Sequence, residues 1–294
     1  MGRYYAKKEN TMSEEFIGIT AICGEEGTCK TTMAISFPKP LVHFDTDVGG
    51  YRRAAWRLSK EELAQITSKS YPKPISVEKL KGQIGTPSTR IIVPKKMEGM
   101  KELWQQFAQD FVDACMDEKI ATIVVDSATQ LWIICHGSHL QELQERQLSQ
   151  HLRAHKGVPF DENDYREKLQ QYEYGPANDK MRTVLHTARS FSKNLVLTHY
   201  PTDEYGVIPD AKGNMVEGKT GVKVLDGFKE TVKLSDLVMW LSVKEERKEG
   251  KTIKTPTAKI TKCGLEGMGL DAVGLEIPAS YEGVMNLQRL MRGE

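Results

Sequence analysis

The chain predicts an α/β domain with a mainly parallel central sheet flanked by helices. Three observations carry that prediction. Short, mostly apolar runs recur at 16–22, 41–44, 120–126 and 194–200, as expected of strands buried on both faces. Segments with helical spacing lie between them, at 98–117, 138–156 and 179–192, so strands and helices alternate. The first run empties into a glycine-containing loop, Gly24-Glu25-Glu26-Gly27-Thr28-Cys29-Lys30-Thr31-Thr32.

Each element has a local reason. FIGITAI (16–22) is β-branched and reads as the strand feeding that loop. A helix starts near Thr31 and runs to about Phe37, where Pro38 and Pro40 stop it. LVHF (41–44) is a second strand ending in DTDVGG. Residues 52–101 are rich in Lys, Arg, Pro and Gly, with a helix near 59–67 and a short strand at 90–93. Residues 98–117 place Met100, Leu103, Phe107, Phe111, Val112 and Cys115 at helical spacing. IATIVVD (120–126) and NLVLTHY (194–200) read as central strands. The polar helical stretch from 138 breaks at GVPFDEND (157–164), and 179–192 resumes as helix. A glycine-rich loop spans 201–223, and strands follow near 236–243 and 257–262. The organisation expected is a leader at 1–15, a core at 16–265 with a polar helical insertion at about 138–180, and an extension at 266–294.

Composition excludes several classes. The 294 residues carry a net charge of +1, so no bulk electrostatic commitment to nucleic acid or membrane exists. No apolar run approaches the ~20 residues of a membrane span, and the N-terminus lacks the apolar core of a signal peptide. Five cysteines without CxxC spacing suit reduced thiols of a cytoplasmic protein.

Gly-x4-Gly-Lys-[Ser/Thr] wraps phosphates with backbone N–H groups at a helix start. Its Lys carries charge to the β/γ-phosphates, and its hydroxyl ligates Mg²⁺. Here Gly24, Glu25, Glu26, Gly27, Thr28, Cys29, Lys30, Thr31 and Thr32 form the expected ATP-binding loop. Cys29 stands where the pattern has Gly. Right-handed φ/ψ is accessible to Cys at a first helical turn, so room is expected to be the main reason for Gly. Asp126 closes a strand, where ligands of open α/β sheets bind, and joins Thr31 as the expected Mg²⁺ pair. Asp47 is placed to orient or activate water; Asp45 is the alternative that satisfies local backbone, and either is also turn chemistry.

GEEGTCKTTMAISFPKPLVHFDTD, TIVVDSATQL, YEYGPANDKMRTVLHTARSFSKNLVLTHY and TPTAKITKCG together resemble the phage RecA-like P-loop ATPases. The nearest resemblance is to the phage nucleotide-binding proteins of the Sak type, which act in single-strand annealing. It covers most of 16–265. It implies a RecA-like core and a catalytic acid after the second strand. Asp47 matches that acid, one methylene shorter than the usual Glu. It also implies a polar sensor, matched by Thr198 and His199, with His199 as a catalytic candidate. A Lys sent from the last strands into a neighbour's site is matched loosely by Lys259 and Lys262, which equally suit a solvated strand edge.

The resemblance places single-stranded DNA near the loop 201–223, where Tyr205, Lys212, Lys219 and Lys223 are the candidate contacts. Charge distribution adds to this: 52–101 hold twelve Lys/Arg against four Asp/Glu, and 244–262 hold seven against three, although charge runs are usually solvated faces. The function expected is an Mg-dependent P-loop ATPase of DNA recombination or annealing, in the cytoplasm of an infected or lysogenic bacterial host. Its expected partners are copies of itself and a phage single-strand-binding protein. A non-hydrolysing switch or scaffold and a ring-forming DNA motor are the alternatives. Cys135, His136 and His139 (CHGSH) read as core or helix-end residues, and His151 and His155 as surface residues.

Overall fold

The computed structural model describes residues 18–74, 95–209, 213–248 and 251–294. The expected leader, the strand at 90–93 and Lys212 lie outside them. One eight-stranded sheet organises the chain. Its strands are β1 (Ile19–Gly24), β2 (Leu41–Asp45), β3 (Ile66–Ser70), β4 (Thr122–Asp126), β5 (Asn194–His199), β8 (Leu237–Lys248), β9 (Lys251–Cys263) and β10 (Glu276–Pro278). Their spatial order is β10-β9-β8-β1-β5-β4-β2-β3. The pairings from β8 through β1, β5, β4 and β2 to β3 are parallel, while β8–β9 and β9–β10 are antiparallel.

Every residue of β1, β2, β4 and β5 is buried, because helices cover both faces. On one face pack α4 (Met100–Met116), α5 (Ala128–Ala154) and α6 (Tyr174–Ser190), whose Phe107, Leu131, Ile134 and Leu185 meet Phe44, Ile123 and Leu195. On the other, α1 (Lys30–Ala34) and α8 (Tyr281–Arg292) place Met33 and Val284 against Ile22, Val124 and Val196. Residues 266–294 therefore add a strand to the sheet and a helix to its core. Among the described residues no helix is long and apolar enough to cross a membrane.

Several elements differ from expectation. The first helix stops at Ala34, before the prolines, where the Ser36 hydroxyl donates to Met33 O at 2.7 Å and turns the chain. Two short helices, α2 (Gly50–Ala55) and α3 (Lys60–Leu63), precede β3, which the polar sequence ITSKS concealed because it is an exposed edge strand. In α4, Trp104 faces the core and Val112 is exposed. The stretch from 138 belongs to the 27-residue α5, which buries Ser138, His139, Gln141 and Gln144. Gln144 explains how a polar helix packs: its amide receives Met97 N–H and donates to Lys95 O and Arg166 O. The expected loop 201–223 is an antiparallel hairpin, β6 (Pro201–Pro209) with β7 (Met215–Leu225). A short α7 (Thr231–Leu234) leads into β8.

Candidate nucleotide site

The carboxyl ends of β1, β2, β4 and β5 meet at one edge of the sheet, the edge at which open α/β sheets bind ligands. β1 ends at Gly24, and α1 begins at Lys30. The loop between them is shaped by its own bonds, with Thr28 donating to Glu25 O through its N–H at 3.4 Å and its hydroxyl at 2.8 Å. Gly24 is required there: a Cβ would lie 2.5 Å from Thr28 Oγ1 and 3.1 Å from Leu241 O.

Cys29 corrects the expectation about its position. Its φ of 67° and ψ of 29° are left-handed, so glycine is wanted here for backbone conformation more than for room. The thiol is half-buried, and its nearest polar partner is Gly27 O at 3.9 Å.

The Lys30 ammonium donates to Gly24 O at 2.7 Å and Glu25 O at 2.9 Å, and sits 4.3 Å from the centre of the Tyr200 ring. Burial lowers its pKa, against the opposing pull of Asp126. Thr31 Oγ1 donates to Asp126 Oδ2 at 2.6 Å, and Thr198 Oγ1 donates to Asp126 Oδ1. His43 Nε2 lies 3.4 Å from Asp126 Oδ2. Burial alone would raise the Asp126 carboxyl; His43, Thr198 and Thr31 together hold it below the usual carboxylate range. A hydroxyl and an ionised carboxylate, side by side beneath an open cleft, suit Mg²⁺, which takes few protein ligands and keeps its waters.

The cleft above them has a volume of about 480 Å³ and is lined by residues 26–32 together with Asp47, Gly50, Arg53, Arg57, Asp126 and Tyr200. Asp47 is exposed on the turn after β2 and accepts a hydrogen bond from the Tyr200 hydroxyl. Burial, and then that bond, raise the Tyr200 pKa. Asp45 is buried at the strand end and receives Gly49 N–H at 3.2 Å, away from the cleft lining.

Other candidates are placed differently. His199 is a correction: it is fully buried, with Nδ1 2.8 Å from Asp226 O, and does not line the cleft. Side chains alternate along a strand, so Thr198 and Tyr200 share the cleft side and His199 takes the other. Lys262 is also corrected. It pairs opposite Val238, near the start of β8 and far from the nucleotide edge, and donates to Val232 O at 2.8 Å, Lys233 O at 2.9 Å and Ser235 O at 2.6 Å. Lys259 is exposed, in register with Trp240 and Glu276. On the hairpin Tyr205 is exposed, whereas Lys219 and Lys223 both pair with Asp203, at 2.6 and 2.8 Å, and hold its carboxyl down at about 2.

In α5, Cys135 Sγ donates to Ala177 O at 3.3 Å, His139 Nδ1 lies 3.1 Å from Glu142, and His136 packs on Trp132. Tyr200, Arg53 and Arg57 were missed by sequence reasoning. Tyr200 was findable by stepping two residues from Thr198; the arginines offered only a charge run four residues apart.

A strand–loop–helix turn of the phosphate-binding pattern, a Thr31–Asp126 pair beneath it and a mainly parallel sheet with this strand order define a P-loop nucleotide-binding protein. A family model described as an AAA domain matches residues 19–262, and the chain belongs to that family of P-loop ATPases. No curated protein matches the chain.

Proposed function

We propose that the protein hydrolyses Mg·ATP and couples that cycle to single-stranded DNA in phage recombination or annealing. The observation that carries the nucleotide half is the Thr31–Asp126 hydrogen bond of 2.6 Å beneath the Lys30 loop. In this reading the loop N–H groups and Lys30 bind the phosphates, and Thr31 with Asp126 hold Mg²⁺. Bound there, the metal supplies charge neutralisation at the β- and γ-phosphoryl oxygens. Water's oxygen forms the new bond to the γ-phosphorus, the bond to the bridging oxygen breaks, and ADP leaves with that electron pair. Asp47 orients the water and accepts its proton.

The DNA half rests on the sequence resemblance and on the hairpin that begins right after Tyr200, which exposes Tyr205 for stacking. The Lys219 and Lys223 pairs with Asp203 temper the hairpin's charge, so DNA phosphates would have to compete with that carboxylate. Assembly with copies of itself, a single-strand-binding partner and residence in the bacterial host cytoplasm belong to the same reading.

A second reading, a nucleotide-dependent switch that hydrolyses little, is favoured by the Tyr200–Asp47 bond, which occupies the proposed base. Steady-state ATP hydrolysis by wild type and Lys30→Ala, with and without single-stranded DNA, separates them. DNA-stimulated turnover lost in Lys30→Ala supports the first reading. Nucleotide binding without turnover, with DNA present, supports the second.

A further inference from the structure

We propose that Arg53 is a catalytic cation of this site, supplied by the same chain that supplies the phosphate loop. The inference rests on the ATPase reading above. Helix α2 is pressed onto the Thr31–Asp126 pair: a Cβ at Gly50 would lie 3.0 Å from Thr31 Oγ1 and 3.1 Å from Asp126 Oδ2. Ala54, buried at 4% exposure, pins the helix there. Arg53 is three residues on from that contact, on the same face of α2, and Arg57 follows in the turn after the helix. Both line the cleft and both are exposed. No hydrogen bond or ion pair engages either guanidinium among the described residues; Arg57 instead leans over the Trp56 ring, 5.5 Å from its centre. Arg53 is thus a cleft-lining cation with no hydrogen bond or ion pair among the described residues, on the helix that packs against the metal-binding pair.

Charge decides why a cation is needed. Without the two arginines the cleft is lined by one ammonium, Lys30, and three carboxylates, Glu26, Asp47 and Asp126. That leaves two negative charges facing a triphosphate that, with its divalent cation, still carries about two more. Arg53 and Arg57 bring the lining to neutrality. In the transition state charge spreads over the γ-phosphoryl oxygens, where a planar guanidinium gives two hydrogen bonds at once. Arg53 donates those bonds while the phosphorus–bridging-oxygen bond breaks and the phosphorus–water-oxygen bond forms; it transfers no proton. Of the two lysines expected to act from a neighbour, Lys262 is already committed to three carbonyls at the far edge of the sheet, and Lys259 is exposed on β9.

The test is turnover and nucleotide affinity for Arg53→Ala, Arg53→Lys and Arg52→Ala, the last an exposed residue of the same helix outside the cleft. Arg53→Ala should lose about 100-fold or more in kcat, with Arg53→Lys between it and wild type and Arg52→Ala equal to wild type. Mixing Arg53→Ala with Lys30→Ala should restore nothing, because each chain then holds half a site. Turnover of Arg53→Ala equal to that of Arg52→Ala overturns the catalytic role. Restored activity in the mixture overturns supply by the same chain. Wild type that turns over no faster than Lys30→Ala sinks the ATPase reading itself, whatever Arg53 does.

Discussion

Replacing Cys29 with glycine should stabilise this protein, although the residue lies in the loop most directly tied to function. The magnitude follows from the backbone. At φ 67° and ψ 29° a side chain bearing Cβ costs about 1–2 kcal/mol relative to the right-handed region. Glycine removes that cost but adds unfolded-state entropy of about 0.5–1 kcal/mol. The thiol gives little in return, since among the described residues its one polar contact is a 3.9 Å approach to Gly27 O. The net expectation for Cys29→Gly is a gain of about 0.5–1 kcal/mol, or roughly 1–3 °C in Tm for a chain of this size. Thermal melts and urea titrations of wild type, Cys29→Gly and Cys29→Ala measure it. The alanine variant keeps Cβ, and with it the strain, so it should gain nothing. Equal gains in the glycine and alanine variants would refute the argument, because they would locate the effect in the thiol.

Asp126→Asn keeps the side chain's size but removes its charge and one of the two acceptor oxygens that Thr31 and Thr198 use; Mg²⁺-dependent nucleotide affinity should fall about 10–100-fold, while binding measured calorimetrically without Mg²⁺ changes less. Tyr200→Phe removes the only hydrogen bond at the Asp47 side chain among the described residues; kcat should fall about 10-fold at unchanged KM where that bond orients Asp47 as base and rise where it occupies the base, and an unchanged kcat would remove Tyr200 from the chemistry. His199 titrates at an ordinary 6.5 when unfolded and at about 4 when folded, because burial disfavours its charged form. The unfolded chain therefore binds more protons between those values. His199's contribution is fully present above pH 6.5 and is lost as pH falls toward 4, by about 3 kcal/mol. Denaturant melts of His199→Asn across that window should show a shallower pH slope than wild type, and an equal slope would count against the assignment.

Much of the sheet was legible because burial on both faces leaves a one-dimensional mark. IVVD and LVLT are apolar regardless of what flanks them, and they became β4 and β5. Edge elements carry no such mark. ITSKS, with one flank in solvent, concealed β3, and the hairpin of 201–225 read as a loop because its glycines outweighed a weak alternation. The strand at 276–278 is three residues long, and only its pairing with β9 identifies it.

The 24–32 segment joining β1 to α1 and the place of Asp126 at the end of β4 were legible in the sequence alone, because each pattern is contiguous. Backbone N–H groups, a Lys and a hydroxyl within nine residues need no distant partner to be recognised, and a carboxylate ending an apolar strand is a local pattern. Tertiary structure decided the remainder. The left-handed backbone at Cys29, the side of β5 on which Thr198 and Tyr200 meet Asp126 and Asp47, the seating of α2 that brings Arg53 to the cleft, and the committal of Lys262 to the opposite edge all depend on strand parity and register. Those are set by hydrogen bonds between segments far apart in the chain, and no window of sequence contains both partners.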